Sequence, residues 1–140
     1  MSDKIFFDTN IIVYVFDKED ARKNKTAINL LDSFYFNENY LISTQVLLEF
    51  CNVAYRKMKP ALSGDEIDKF ISSFSDEKIA LIDKGTIKKA IQVKEQYQFS
   101  FWDSLIIATA LFSGCNKLYS EDMTDGQIIE DLVIYDPFKN

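Results

Sequence analysis

The sequence predicts an α/β fold, a three-layer α/β/α sandwich around a mainly parallel central sheet, formed by a single domain over residues 1–140. Short apolar runs bounded by polar turns recur at Ile5–Phe7, 40–42, 79–82, Lys117–Tyr119 and Leu132–Tyr135. Runs of that length read as buried strands. Longer stretches between them carry apolar residues at three- and four-residue steps, the helical period. Strands that alternate with helices argue for a parallel sheet covered on both faces. No internal repeat, low-complexity stretch or long linker divides the chain.

In chain order, the first strand ends at Phe7 and Asp8 follows it. Residues 11–16 continue as a short helix, capped by Asn10 or Thr9. Ala21–Phe36 is an amphipathic helix with Ala27, Leu30, Leu31 and Phe34 on one face. The second strand leads through a Ser43 or Thr44 cap into a helix over 44–58. Glu49 falls at the margin of that helix's apolar face, which Val46, Leu47, Phe50, Val53 and Ala54 form. Pro60 stops it. Ser63 and Glu66 then make a capping box for the next helix.

A third strand is predicted over 79–82 and a helix over 83–97. Residues 102–112 form the most apolar helix, apolar nearly all round and therefore buried on most sides. Gly114 ends it. The fourth strand runs into Ser120-Glu121-Asp122, and a loop through Thr124-Asp125-Gly126 reaches the last strand. Pro137 opens a short polar tail.

Composition narrows the function. A hydrophobic content of 47% with 27% charge describes an ordinary globular protein. A chain of this size buries about 68–70% of its unfolded surface, so it needs no disulfide to fold. The longest apolar stretch, 105–112, is far short of the ~20 residues of a membrane span. The start, Met1-Ser2-Asp3-Lys4, lacks a signal-peptide pattern, so a cytoplasmic protein is expected. Cys51 and Cys115 are isolated, and read as reduced and buried. The chain has no histidine. That removes Ser-His-Asp and Cys-His catalysis and ordinary zinc hydrolase sites. Acid–base chemistry must come from carboxylates, Lys, Tyr or metal-bound water. A net charge of −6 argues against a simple nucleic-acid binder, whose affinity comes from neutralising phosphates, unless a metal supplies positive charge locally.

Asp8, Glu49, Asp103 and Asp122 are the candidate site. Each has an ordinary structural reading: a turn or helix cap for Asp8, a solvated residue for Glu49, a helix-dipole partner for Asp103, a surface turn for Asp122. Together they share a position. Two follow strands, one opens a buried helix, and one lies on the helix leading out of the second strand. In a parallel sheet those places fall on one edge. Converging carboxylates repel and raise one another's pKa unless a cation neutralises them. All-oxygen ligands select hard ions such as Mg²⁺ or Mn²⁺.

Four segments carry a resemblance: Phe7-Asp8-Thr9-Asn10, Leu48-Glu49-Phe50, Phe101-Trp102-Asp103 continuing to Ala110, and Tyr119-Ser120-Glu121-Asp122-Met123. In order and separation they resemble the successive motifs of the PIN-domain family. In size the chain is similar to the VapC-type toxin ribonucleases of toxin–antitoxin pairs. The resemblance implies a metal-dependent, single-strand-directed endoribonuclease that cleaves RNA phosphodiesters with metal-activated water. It implies Asp8, Glu49, Asp103 and Asp122 as catalytic, metal-binding residues for one or two Mg²⁺ ions, with Mn²⁺ as substitute. Thr9, Asn10 and Ser120 are implied as supporting residues. At the fourth motif, where family members vary, the role given to Asp122 is also open to Glu121 or Asp125. The implied partners are an RNA substrate, a cognate antitoxin and a second copy in a homodimer, with no membrane.

Two other readings remain. One is a non-catalytic PIN-like binding or scaffold protein. The other is a phosphotransfer fold. A haloacid-dehalogenase-like phosphatase needs an acid where Asn10 stands, and a receiver needs paired acids after the first strand, although Asp83 offers it a phosphorylatable position. Arg56, Lys57 and Lys59 are either cations favoured at a helix C-terminus or phosphate contacts. Twelve Phe and seven Tyr exceed what the core alone requires, which leaves rings for a dimer face or an antitoxin groove.

Overall fold

Ile5, Phe6 and Phe7 are all buried, which is why this run shows none of the polar alternation of a one-sided strand. The computed structural model describes residues 3–139. Its strands are β1 (Ile5–Phe7), β2 (Tyr40–Ser43), β3 (Ile79–Ala80), β4 (Lys117–Tyr119), β5 (Ile128–Ile129) and β6 (Leu132–Tyr135). They form one sheet in the order β3-β2-β1-β4-β6-β5. Every neighbouring pair is parallel except β5 with β6.

Between them lie α1 (Thr9–Val13), α2 (Ala21–Phe36), α3 (Thr44–Arg56), α4 (Gly64–Ser72), α5 (Lys84–Tyr97) and α6 (Phe101–Phe112). The chain steps from β1 outward to β2 and β3, then returns past β1 to β4. Right-handed crossovers in opposite directions place their helices on opposite faces, which yields the expected three-layer sandwich. The reversal occurs at β1, so the strand ends there open a crevice.

Sequence and structure differ at several boundaries. The cap of α1 is Asp8, whose carboxylate accepts the Thr9 amide, and neither Thr9 nor Asn10. β3 stops at Ala80, and Leu81 is exposed, because an edge strand has only one neighbour to pair with. α3 ends at Arg56, before Met58. The loop after Thr124 contains β5, which makes a hairpin with β6 across Glu130-Asp131. Two residues are too short a strand for periodicity to show, and Glu-Asp is not a signature hairpin turn. The tail after Pro137 is anchored: Phe138 is buried against the Tyr14 ring, and Arg22 donates to its carbonyl at 2.7 Å. The capping box of Ser63 and Glu66 is present as expected.

The surplus of rings goes largely into packing. Phe34 is fully buried, with Phe7 and Phe74 each at 5.3 Å between centroids and Tyr40 at 6.1 Å. Phe16, Phe50 and Phe70 form a second set at 4.8–5.5 Å. Such pairs add to area burial. Phe34→Ala is therefore expected to cost about 3–5 kcal/mol by chemical denaturation. Phe36, on the same helix but 91% exposed, is expected to change stability by less than about 0.5 kcal/mol on the same substitution.

Candidate active site

The register of the sheet makes the site. Phe7 pairs with Tyr119, so the next residues, Asp8 and Ser120, meet just beyond the ends of their strands. The Asp8 amide donates to the Tyr119 carbonyl at 2.9 Å. The carboxylate of Asp8 is buried and accepts two hydrogen bonds, from the Thr9 amide at 2.7 Å and from Ser120 Oγ at 2.7 Å.

The other carboxylates arrive on elements that begin at this edge. β2 passes directly into α3 through the Ser43 cap, and α3 carries Glu49. Thr9 Oγ1 donates to Glu49 Oε1 at 2.5 Å, tying α3 to the start of α1. Ser100 caps α6, which places Asp103 in its first turn. Asp122 follows β4, and Asn10 Nδ2 donates to it at 3.1 Å. Asn10 Oδ1 accepts the Glu121 amide at 3.2 Å, so one amide side chain fixes the loop after β4.

Asp8, Glu49, Asp103 and Asp122 line one cavity of about 700 Å³, together with Glu121 and Asp17. No Lys or Arg lines it among the described residues. Burial pushes the Asp8 carboxyl up to about 7, and the charges of Asp103 and Glu49 push the same way. The hydrogen bonds from Ser120 and Thr9 oppose that shift without cancelling it. Asp103 is also raised, by burial first and by Asp122 in addition.

The structure sorts the fourth motif. Glu121 reaches the cavity wall, but its carboxylate is occupied: it accepts from Tyr14 Oη at 2.6 Å and pairs with Lys23 Nζ at 2.5 Å. Asp125 is not brought to the site. It accepts the Asp136 amide at 2.9 Å and lies 3.7 Å from Lys139, so it braces the tail instead. Asp122 remains the acid of that motif that faces the others, across from Asp103.

Two residues were missed in the sequence. Asp17 lines the cavity from the turn after α1. Gln45 is buried, and its Nε2 donates to the Trp102 carbonyl at 3.0 Å and faces Glu49 Oε2 at 3.5 Å. Its Oε1 has no hydrogen-bond partner among the described residues. The signal for Gln45 was its spacing, four residues before Glu49 on the same helix stripe.

The donor chemistry fits a hard divalent ion, since the groups facing the cavity offer carboxylate, amide and hydroxyl oxygens. Among the described residues, however, no three acidic, cysteine or histidine side chains are grouped tightly enough to hold one ion. Glu49 is drawn to Thr9 and Asp122 to Asn10, and like charges hold the carboxylates apart.

A buried carboxyl whose folded pKa lies above its unfolded value binds its proton more tightly when folded. In chelator, stability is therefore expected to fall as pH rises from about 4 toward 7, by up to about 1.4 kcal/mol per pH unit. Asp8→Asn is expected to flatten that slope and to stabilise the metal-free protein at pH 7, read by denaturant titrations across pH.

A family model described as PIN domain matches residues 5–124. No curated protein sequence matches the chain. Solved structures do. A toxin–antitoxin complex from Klebsiella pneumoniae superposes with a TM-score of 0.71 at 20% identity, covering 95% of this chain and 97% of that one. The toxin VapC20 of Mycobacterium tuberculosis, described as cleaving the sarcin–ricin loop, gives 0.65 at 20% identity over 84% and 89%. VapBC2 from Rickettsia felis, bound to a promoter DNA fragment, gives 0.66 at 20% identity over 93% and 96%. At such identity these likenesses speak for the fold, and the family model covers every one of the four motifs: the chain belongs to the PIN domain family.

Proposed function

We propose that this protein is a metal-dependent endoribonuclease directed at single-stranded RNA, and the toxin of a toxin–antitoxin pair. The observation that carries the reading is Asp8, a buried carboxylate at the end of the central strand, facing Glu49, Asp103 and Asp122 across a cavity that no basic side chain lines among the described residues. Such a concentration of negative charge is unfavourable for folding alone. The assignment to a toxin–antitoxin system draws support from structures of similar fold, one described as a toxin–antitoxin complex and another as a toxin. It carries with it a cognate antitoxin, a homodimer and a cytoplasmic setting as further parts of the proposal. For the described residues, no helix is long and apolar enough to cross a membrane.

Asp8, Glu49, Asp103 and Asp122 would hold Mg²⁺, or Mn²⁺ in its place. When bound, the ion supplies Lewis acidity to the scissile phosphodiester and to a water. The chain's own residues prepare the site. Ser120 and the Thr9 amide hold the Asp8 carboxylate in one orientation. Thr9 holds Glu49, and Asn10 holds Asp122. Lys23 keeps Glu121 paired and out of the ligand set.

A non-catalytic binding module is the second reading. It is favoured by one observation, that among the described residues no three ligand side chains are grouped at ion-binding spacing.

Thermal melts separate the two. Mn²⁺ added after EDTA treatment is expected to stabilise the wild type by about 2.7 kcal/mol when free ion exceeds the Kd a hundredfold. Asp103→Asn is expected to lose that response and to abolish cleavage of total RNA while remaining folded. An unresponsive wild type that cleaves nothing would favour the binding module.

A further inference from the structure

A second cavity, of about 250 Å³, adjoins the first and shares Val13, Asp17 and Val53 with it. The two therefore abut along those three side chains and together are called the groove. One face of α3 runs along it at four-residue steps: Gln45, Glu49, Val53 and then Lys57, which caps the helix. Each step advances about 6 Å. The groove changes character along that face. At the Gln45 end stands Trp102, 61% exposed although it lies in the most apolar helix of the chain, and held by its carbonyl to Gln45. In the middle stand the carboxylates. At the far end Lys57 and Lys59 line the second cavity, and they are the groove's basic residues among those described.

Helix-dipole compensation explains a lysine after α3, but it does not require both lysines to face a cavity that opens onto the acidic site. Asp17 and Glu19 also line the second cavity, yet neither lysine forms an ion pair among the described residues. The indole beside the acids packs edge-on against the Phe101 ring at 5.5 Å between centroids, yet most of the residue stays exposed. Its face is large, flat and apolar, the surface on which an unpaired base stacks.

We propose that this groove is a track for a single nucleic-acid strand, with a base stacked on Trp102 and a backbone phosphate received by Lys57 and Lys59, on either side of the carboxylates. The track rests on the nuclease reading above. It runs along α3, so strand polarity and the position of the cleaved bond relative to the stacked base are set by that helix. Trp102 and the two lysines are binding residues, and none belongs to the carboxylate set. A duplex offers no splayed base to the indole, so the track also selects unpaired strands.

The chain has one tryptophan, so its fluorescence reports on Trp102 alone. The full-length protein would be titrated with a short fluorescein-labelled oligouridylate in calcium, which binds carboxylate oxygens. Anisotropy reads total binding, indole emission reads stacking, and a gel checks that the strand stays intact. Binding is expected to quench the indole. Trp102→Ala is expected to weaken binding about tenfold. The double variant Lys57→Glu, Lys59→Glu is expected to weaken it and to reduce the slope of log affinity against log salt by about 0.7 for each lost phosphate contact. Both sites are exposed, so circular dichroism should show the fold unchanged.

Strand binding without quenching, and with the lysine variant equal to wild type, overturns the track while leaving the nuclease reading in place. Emission that changes with protein concentration and not with the strand also overturns it, assigning the indole to a contact between copies. Absence of any strand binding removes the nuclease reading, and the track with it.

Discussion

The burial of Asp8 is the constraint on which the rest of the site depends. A carboxylate taken out of water at a strand end is costly unless hydrogen bonds or a positive charge compensate. Two short hydrogen bonds reach it, from Thr9 and Ser120. They do not balance the burial and the neighbouring charges, as the elevated pKa of about 7 records. The group is thus left dependent on a proton or a cation. The fold invests in keeping it there: β1 lies between β2 and β4, and the register that pairs Phe7 with Tyr119 is what brings Ser120 to it.

Around that carboxylate the structure separates acids by what they touch. Asp20, Asp83 and Glu66 serve helix starts through backbone amides. Asp125 braces the tail, and Glu121 is matched by Lys23 and Tyr14. Asp8, Glu49, Asp103 and Asp122 share a cavity that, among the described residues, offers them no cationic side chain. Asn10 and Thr9, the two residues after Asp8, are the links: one joins the loop after β4, the other joins α3. The first motif therefore positions the second and fourth motifs as well as supplying the buried carboxylate.

The same division applies to the aromatic residues. Most rings pack against one another beneath α2, α3 and α4, where Phe34, Phe50 and Phe70 are buried. Trp102 is an exception with a location: it stands at the mouth of the cavity beside Asp103, fixed by a hydrogen bond from a buried glutamine. Its ring meets that of Phe101 edge-on at 5.5 Å, yet 61% of the residue stays exposed.

The sequence by itself determined the layers, the mainly parallel sheet and the capping box at Ser63, and it singled out four acids that line one cavity. Those features follow from local periods of two and 3.6 residues, from cap chemistry, and from the rule that parallel strands end on one edge. It did not determine the cap of α1, the β5 hairpin, the anchoring of Phe138, or the roles of Glu121, Asp125 and Gln45. Several of those depend on a partner far away in the chain: Arg22 lies 116 residues from Phe138, Lys23 lies 98 from Glu121, and Trp102 lies 57 from Gln45. Local pattern places a carboxylate at an edge. Only the packed chain decides whether a hydroxyl, an amide, a lysine or another carboxylate stands opposite it, because that depends on distances between elements that no periodicity encodes.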